Sequence, residues 1–489
     1  MEHDNTTTLP QNDPQKATRQ QLLDEAKALY QIDNSSEELP VKTIAHWEED
    51  WFFGRQRLAG VCPHLIRLCA KIPDRLAVQE SHLKPFLDMS LDQALAHEKL
   101  FYCDLGILEG IPCSPDYHVC APILLLYRNN SGELLPVAIQ LFQEKGPDNP
   151  VFLPSDDRNV WLLAKMWYNQ AEATYHQSVA HLGITHLLME GVDLSTHRHL
   201  SQYHPIYKLL APHLVGTMAI NEKGRELLLD GGALNTLMSV GVEGVEHLMA
   251  KSLPDWHLDV DGTLPEDLKR RGVNGEGVLP NYHYRDDGLK VYEAIEAYVT
   301  KYVHLYYEND QALLSDREIQ AWANELVTST KDGGIGMNGV PGGGKFRELN
   351  QLIKTLTSVI FTCSAQHAAV NFPQYNFSGF PPAYPTKLTG SPPTKKEHRA
   401  VEDVLKALPD VDTLSEMILV ANLLSTKITN ALGDFETIYI QDHKAVQIWQ
   451  EFRMKLSEIT QSFTADNKQC RVPPYDFLLP ENIPNSVSI

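Results

Sequence analysis

The chain has 489 residues, 43% hydrophobic and 21% charged, the balance of a globular protein able to bury a large core. Its 42 basic and 63 acidic residues leave a net charge of −21, which disfavours nucleic acid as a partner and allows at most peripheral membrane contact. The 7 cysteines form no CxxC pair, and neither a secretory leader nor a membrane-length apolar run is visible, so reduced thiols and a cytoplasmic location are expected.

Residues 1–20 are polar and rich in Thr, Gln and Pro, the composition of a disordered tail, and residues 21–489 are expected to form one domain. A short helix is expected over Gln21–Tyr30. The aromatic density of Trp47–Gly60 suggests a packing element. Val119–Tyr127 and Leu134–Phe142 are β-prone runs separated by Arg-Asn-Asn-Ser-Gly-Glu, a hairpin signal and the one sheet expected. Helix dominates afterwards. Val160–Glu190 reads as one long helix, followed by helical segments at His204–Leu210, Gly224–Leu229, Tyr292–Tyr307 and Ser315–Ser329.

The glycine-rich stretch Asp332–Lys345 contains two nucleotide-like patterns. Gly334-x-Gly336-x-x-Gly339 follows a helix where a strand is required, and Gly339-x4-Gly344-Lys345 is followed by Phe346 where a Ser or Thr is required. A flexible surface loop is the better reading. Leu349–Asn371 is the cleanest amphipathic helix. Further helices are expected at Lys396–Leu408, Leu414–Leu432 and Asp442–Ser462, and the uncharged, apolar end of the chain suggests a buried terminus. The expected fold is mainly α, a large helical domain around a long central helix, with a small antiparallel β region.

The central helix carries His176, His181 and His186 at five-residue steps. In an α-helix such positions stand about 140° apart, so the rings would diverge. One wide turn with i→i+5 bonding would bring His181 and His186 onto one face. Two inward imidazoles begin a metal site, but evenly spaced core histidines fit the same pattern. On the later helix the stripe Leu349, Leu352, Ile353, Leu356, Val359, Ile360, Cys363 continues onto His367 and Asn371, one turn apart. A core histidine bonded to a core amide is the alternative there.

Taken together, these blocks resemble the lipoxygenase family. The resemblance is carried by His176-Gln177-x3-His181-x4-His186 with Glu190, by Thr196-His-Arg-His199, by His204-Pro-Ile-Tyr-Lys-Leu-Leu210 with Pro212-His213, and by Gln366-His367-Ala-Ala-Val-Asn371-Phe. The ending Ile483-Pro-Asn-Ser-Val-Ser-Ile489 and the early Phe53-Gly-Arg-Gln-Arg-Leu-Ala-Gly60 agree as well. The resemblance implies one non-haem iron held by His181, His186, His367, Asn371 and the carboxylate of Ile489. His176, His197, His199, His204 and His213 are then supporting residues. It implies that a ferric hydroxide takes hydrogen from a polyunsaturated fatty acid such as linoleate, that O2 adds to the resulting cis,cis-pentadienyl radical, and that a hydroperoxide leaves.

Gln177 and Gln374 match the family's amide network linking ligands to pocket, with His176 beside it. Leu182, Leu187, Leu228 and Leu424 are expected to line the substrate and oxygen pocket. Gly224 matches a position that is Gly in enzymes making R products and Ala in those making S, so R products are expected. Two departures stand out: Leu182 replaces an aromatic residue of plant members, and Tyr384 stands where they often carry Arg. The residues before Ala45 are too few for the family's N-terminal β-sandwich, so a minimal bacterial-type monomer without calcium dependence is expected. The competing expectations are a zinc hydrolase, a hydroperoxide isomerase or lyase using the same iron, and a non-catalytic lipid-binding homologue.

Overall fold

The computed structural model describes residues 40–471 and 473–487. The expected tail at 1–20, the expected helix at 21–30 and the expected ligand Ile489 lie outside the described residues. The chain falls into two compact units: the described part of Met1–His176 with Gly231–Leu248 and Gln374–Leu424, and Gln177–Asp230 with Met249–Pro373 and Ser425 to the last described residue.

The first unit holds a five-stranded antiparallel sheet in the order β1 (Arg67–Leu68), β2 (Leu100–Asp104), β3 (Ile123–Arg128), β4 (Leu134–Gln140) and β5 (Val151–Phe152). The expected hairpin is its centre, but the sheet is wider than expected. β1 and β5 are two residues each, too short to leave a period in the sequence, and Leu100-Phe-Tyr-Cys-Asp104 has three of its five residues buried, which blurs the alternation. The β3–β4 register shifts between Leu125 and Leu126, opposite Ala138 and Pro136. Pro136 has no N–H to offer a ladder, and a bulge there absorbs the loss.

Helix α1 (Asp50–Ala59) lies on β4, and Phe52 and Phe53 are buried as the aromatic density suggested. A Cβ on Gly54 would stand 1.8 Å from the Leu134 carbonyl oxygen, so only glycine permits this approach. Helix α2 (Arg158–Tyr175) starts at Asp157, whose carboxylate accepts from the backbone N–H of Asn159 and Val160. The helix expected at 396–408 is shorter, Val401–Lys406. Lys396 and His398 instead reach Asp156 and Asp157, at 2.9 and 2.7 Å, which draws the preceding chain out of helical geometry. Helix α9 (Val411–Leu424) closes this unit.

In the second unit, α5 (His283–Tyr306) packs against both α7 (Leu349–Phe361) and α10 (His443–Gln469), and α6 (Arg317–Val327) against α3 (Met189–His199). The glycine-rich stretch is a loop, as expected, but it is pinned rather than free. Ile335, Gly336 and Met337 donate backbone N–H to the carbonyls of Glu325, Thr328 and Leu326, and the Asn338 and Gly339 carbonyls accept from Leu258 and Asp259. Met337, Val340 and Phe346 are buried. Glycines allow the left-handed turns of this loop, with Gly339 at φ 68°, and the same turns carry its apolar residues inward. Among the described residues no helix is long and apolar enough to cross a membrane.

Candidate metal centre

The chain runs from α2 into a π-helix over His176–Leu188 before α3 resumes ordinary geometry. The expectation was a single wide turn; the π geometry spans 13 residues. Here i→i+5 bonding brings residues five apart onto neighbouring positions, and His181 and His186 meet with Nε2 atoms 3.2 Å apart. Thr185 Oγ1 donates to the His181 carbonyl oxygen at 2.7 Å, a side-chain bond that loosens the regular ladder.

Two further π segments were not expected. One, Thr362–Gln366, interrupts the second ligand-bearing helix between α7 and α8 (His367–Asn371). Thr357, Thr362 and Ser364 each donate to the carbonyl four residues back, at 2.6–2.8 Å, and this run of hydroxyls was the available signal. The other, Arg225–Asp230, follows α4 (Thr217–Gly224).

His181, His186 and His367 converge, with one ring nitrogen from each lying within 4.8 Å of the others. Their ring centroids are 4.7, 5.1 and 5.3 Å apart. All three are buried, and His367 is 0% exposed with neither ring nitrogen hydrogen-bonded. Burial pushes the His186 imidazole down to about 4 and holds His367 well below the ordinary histidine range, so both are neutral at pH 7. Neutral imidazoles with lone pairs turned toward one point are what a divalent metal requires, and buried nitrogens without partners are costly unless something meets them. The donor set fits the non-haem iron that the sequence led us to expect.

Asn371 is fully buried one α-helical turn after His367. Gln177 is half-buried in the π segment, as are Leu182 and Leu187. Gly224 ends α4, and a Cβ there would meet nothing within 4 Å, whereas Leu228 is half-buried in the π turn that follows. His176 and Gln374 are buried in the first unit, and Leu424 is half-buried at the end of α9.

The supporting histidines divide by role. His213 Nδ1 donates to the Asn485 carbonyl at 2.9 Å, and Ser486 Oγ to that of Val215 at 2.8 Å, fixing the chain's last described turn beside Val487, which is buried. His204 Nε2 meets Asp316 at 2.9 Å, and His197 and His199 pair with Asp193 and Glu325. Two residues the motif reading missed are Asn221 and Arg225. Asn221 Oδ1 lies 2.8 Å from His186 Nδ1, and Arg225 clamps Glu190. A lone amide on the inner face of α4, opposite an acidic residue of the π helix's extension, was their only trace in the sequence.

Residues 4–473 match the family model described as lipoxygenase. The chain is 38% identical over 453 residues to an arachidonate 12-lipoxygenase, 12R-type, of Mus musculus, covering 91% of this chain and 64% of that protein. It is 37% identical over 453 residues to a hydroperoxide isomerase of Rattus norvegicus, covering 91% and 63%. It thus spans less than two thirds of the length of these relatives, which are animal proteins. Among solved structures, a LOX variant determined anaerobically with arachidonate matches with a TM-score of 0.90 at 34% identity, over 96% of this chain and 70% of that one. A coral 8R-lipoxygenase matches with a TM-score of 0.87 at 35% identity, over 91% and 67%.

Proposed function

The chain belongs to the lipoxygenase family, and on that premise we propose that it is an iron dioxygenase that converts polyunsaturated fatty acids and O2 to hydroperoxides. The observation that carries the reading is the convergence of three buried imidazoles, one of them with no hydrogen-bond partner at either nitrogen. His181, His186 and His367 hold the iron, Asn371 adds a weaker oxygen donor, and the carboxylate of Ile489 is the remaining protein ligand. Iron bound there supplies the one-electron oxidant that lets the weak C–H bond between two cis alkenes give up its hydrogen. The chain's own work is to hold the pentadiene beside that centre, exclude water and steer O2 to one carbon. Leu182, Leu187 and Leu228 line the pocket beside that centre, and Gln177 orients the ligands.

The product is of R configuration. Gly224 supports this: the space where an Ala methyl would stand is empty, leaving O2 a path that a methyl would narrow. The printed names of relatives of R type, the mouse 12R enzyme and the coral 8R enzyme, agree with it.

The purified, iron-loaded chain given linoleate or arachidonate should consume O2 and build conjugated-diene absorbance. No oxygen uptake with either substrate would overturn the dioxygenase reading. A second reading is favoured by the rat hydroperoxide isomerase among the relatives: the same centre would rearrange preformed hydroperoxides. Loss of diene absorbance from added hydroperoxide, without oxygen uptake, would establish it.

A further inference from the structure

The hydrogen bonding behind His186 fixes its tautomer as well as its position. Asn221 Nδ2 has two neighbours that can only accept, the His186 carbonyl oxygen at 3.0 Å and Glu190 Oε2 at 2.9 Å. That identifies the NH2 end of the amide, so the end facing His186 Nδ1 at 2.8 Å is the oxygen. An amide oxygen cannot donate. Nδ1 therefore carries the proton, and Nε2 keeps its lone pair, 3.2 Å from His181 Nε2.

Asn221 is held in this orientation in turn. It is 4% exposed. Its Glu190 partner receives both ends of a guanidinium, Arg225 Nη1 at 2.7 Å and Nη2 at 2.9 Å, and Arg225 also meets Glu222 at 3.1 Å. The bidentate pair neutralises Glu190 and prevents the carboxylate from swinging away from the amide. Were Asn221 to flip, its oxygen would face the Glu190 carboxylate and the His186 carbonyl, two acceptors, and its NH2 would face Nδ1. Two hydrogen bonds would be lost at once, which gives the chain one strongly preferred arrangement.

We propose that Asn221, oriented by the Glu190–Arg225 pair, is a positioning residue that locks His186 in its Nδ1–H tautomer and so presents the Nε2 lone pair for a metal. An amide does this without a second charge. A carboxylate at the same place would draw the imidazole toward its protonated form, whereas Asn221 passes on the orientation of an ion pair and keeps its charge one residue away. The proposal rests on the metal-centre reading for its purpose, but the tautomer belongs to the metal-free chain. Because Arg225 directly follows Gly224, the same clamp also anchors the turn that carries Gly224.

The test is made on metal-free protein labelled with 15N-histidine, where nitrogen chemical shifts report which ring nitrogen carries the proton, combined with Co2+ titration followed by its visible absorption. His186 of the unaltered chain is expected as Nδ1–H. Asn221→Leu should give mixed tautomers and lower Co2+ affinity about 10–100-fold, the usual cost of removing a ligand's outer partner. Asn221→Gln retains an amide oxygen for Nδ1 and an NH2 group for Glu190 and should recover the Nδ1–H form and part of the affinity, which a purely structural role for the amide would not produce. An Nε2–H His186 in the unaltered chain overturns the proposal, and so does undiminished Co2+ affinity in the Leu variant or an equal loss in both variants. If Asn221→Leu does not fold, the tautomer of the unaltered chain decides. A chain that passes these tests but leaves fatty acids untouched would refute the dioxygenase reading and leave this one standing.

Discussion

Arg57 and Glu172, in the first unit, form a buried ion pair, Nη2 to Oε2 at 3.1 Å, with side chains at most 1% exposed. Its polar ends meet one another: Asn169 Oδ1 accepts from Arg57 at 2.7 Å, and Tyr384 and Tyr168 donate to Glu172 at 2.9 and 3.3 Å. The remaining guanidinium nitrogens, Nε and Nη1, have no acceptor, and the cation lies over the Phe53 and Tyr168 rings at 4.4 and 4.9 Å. In the second unit, His181, His186 and His367 are buried as well, but there one ring nitrogen of each turns to a common point and His367 answers to no protein group. The first arrangement pairs its charges within itself and covers the remaining guanidinium nitrogens with aromatic rings. The second is complete only with something added. Burial of polar groups is common to both, so burial alone does not mark a functional site; unspent lone pairs do.

The largest expected effect separates the two regions by metal. His367→Leu should reduce iron from about one per chain to a trace in metal analysis, since it removes one of three imidazoles. It also removes two unsatisfied nitrogens, so the metal-free variant should be more stable than the metal-free parent by about 1–2 kcal/mol in urea. Extending the chain beyond Ile489 should lower iron content in the same assay; unchanged iron would exclude Ile489 as a ligand.

Arg57→Met should have the opposite profile. It strands the Glu172 carboxylate, whose titration burial has already pushed upward, and should cost about 3–5 kcal/mol by denaturant unfolding. Iron per folded chain should not change. If His367→Leu destabilised the metal-free protein as much as Arg57→Met, the distinction between closed and open clusters would fail.

A pH series sharpens the same contrast. Burial lowers His213 to about 4, against an ordinary value of 6.5, so the folded chain holds it neutral while the unfolded chain protonates it. The stability it contributes is present above pH 6.5 and is lost as pH falls from 6.5 toward 4, by about 3 kcal/mol in all. Urea midpoints of metal-free protein at pH 7 and pH 5 should show the decline, and His213→Gln should lessen it while leaving the share that the depressed His186 and His367 contribute. The smallest effect on the fold belongs to Gly224→Ala. With open space for the new methyl, stability should stay within about 0.5 kcal/mol, while chiral analysis should show the product shifting from R toward S. Unchanged stereochemistry would remove Gly224 from the oxygen path.

The spacing of His181 and His186, wrong for an α-helix, and the stripe of Leu349–Cys363 ending at His367 drew attention to these residues. Each pattern also fitted core histidines, and it was the resemblance of several separated motifs to one family that joined them as a set. The hairpin was legible from Asn, Ser and Gly between two β-prone runs. What escaped were elements too short or too buried to leave a period, such as Arg67–Leu68, Val151–Phe152 and Leu100–Asp104, and residues whose role depends on a partner distant in sequence. Asn221 contacts His186 across 35 positions and Arg57 contacts Glu172 across 115. Neither partner follows from local pattern.

By itself, then, the sequence determined a mainly helical protein with a small antiparallel sheet, and its resemblance to a known family joined His181, His186 and His367 as one set. Local propensity and periodicity are written in neighbouring residues, so the helices and the hairpin need no tertiary contact to be read. Only the folded chain decided that the π geometry extends through 13 residues rather than one turn, that the glycine-rich loop is pinned rather than free, and that Asn221 meets His186. Those outcomes depend on which carbonyls, amides and carboxylates are left to satisfy one another once the core has closed.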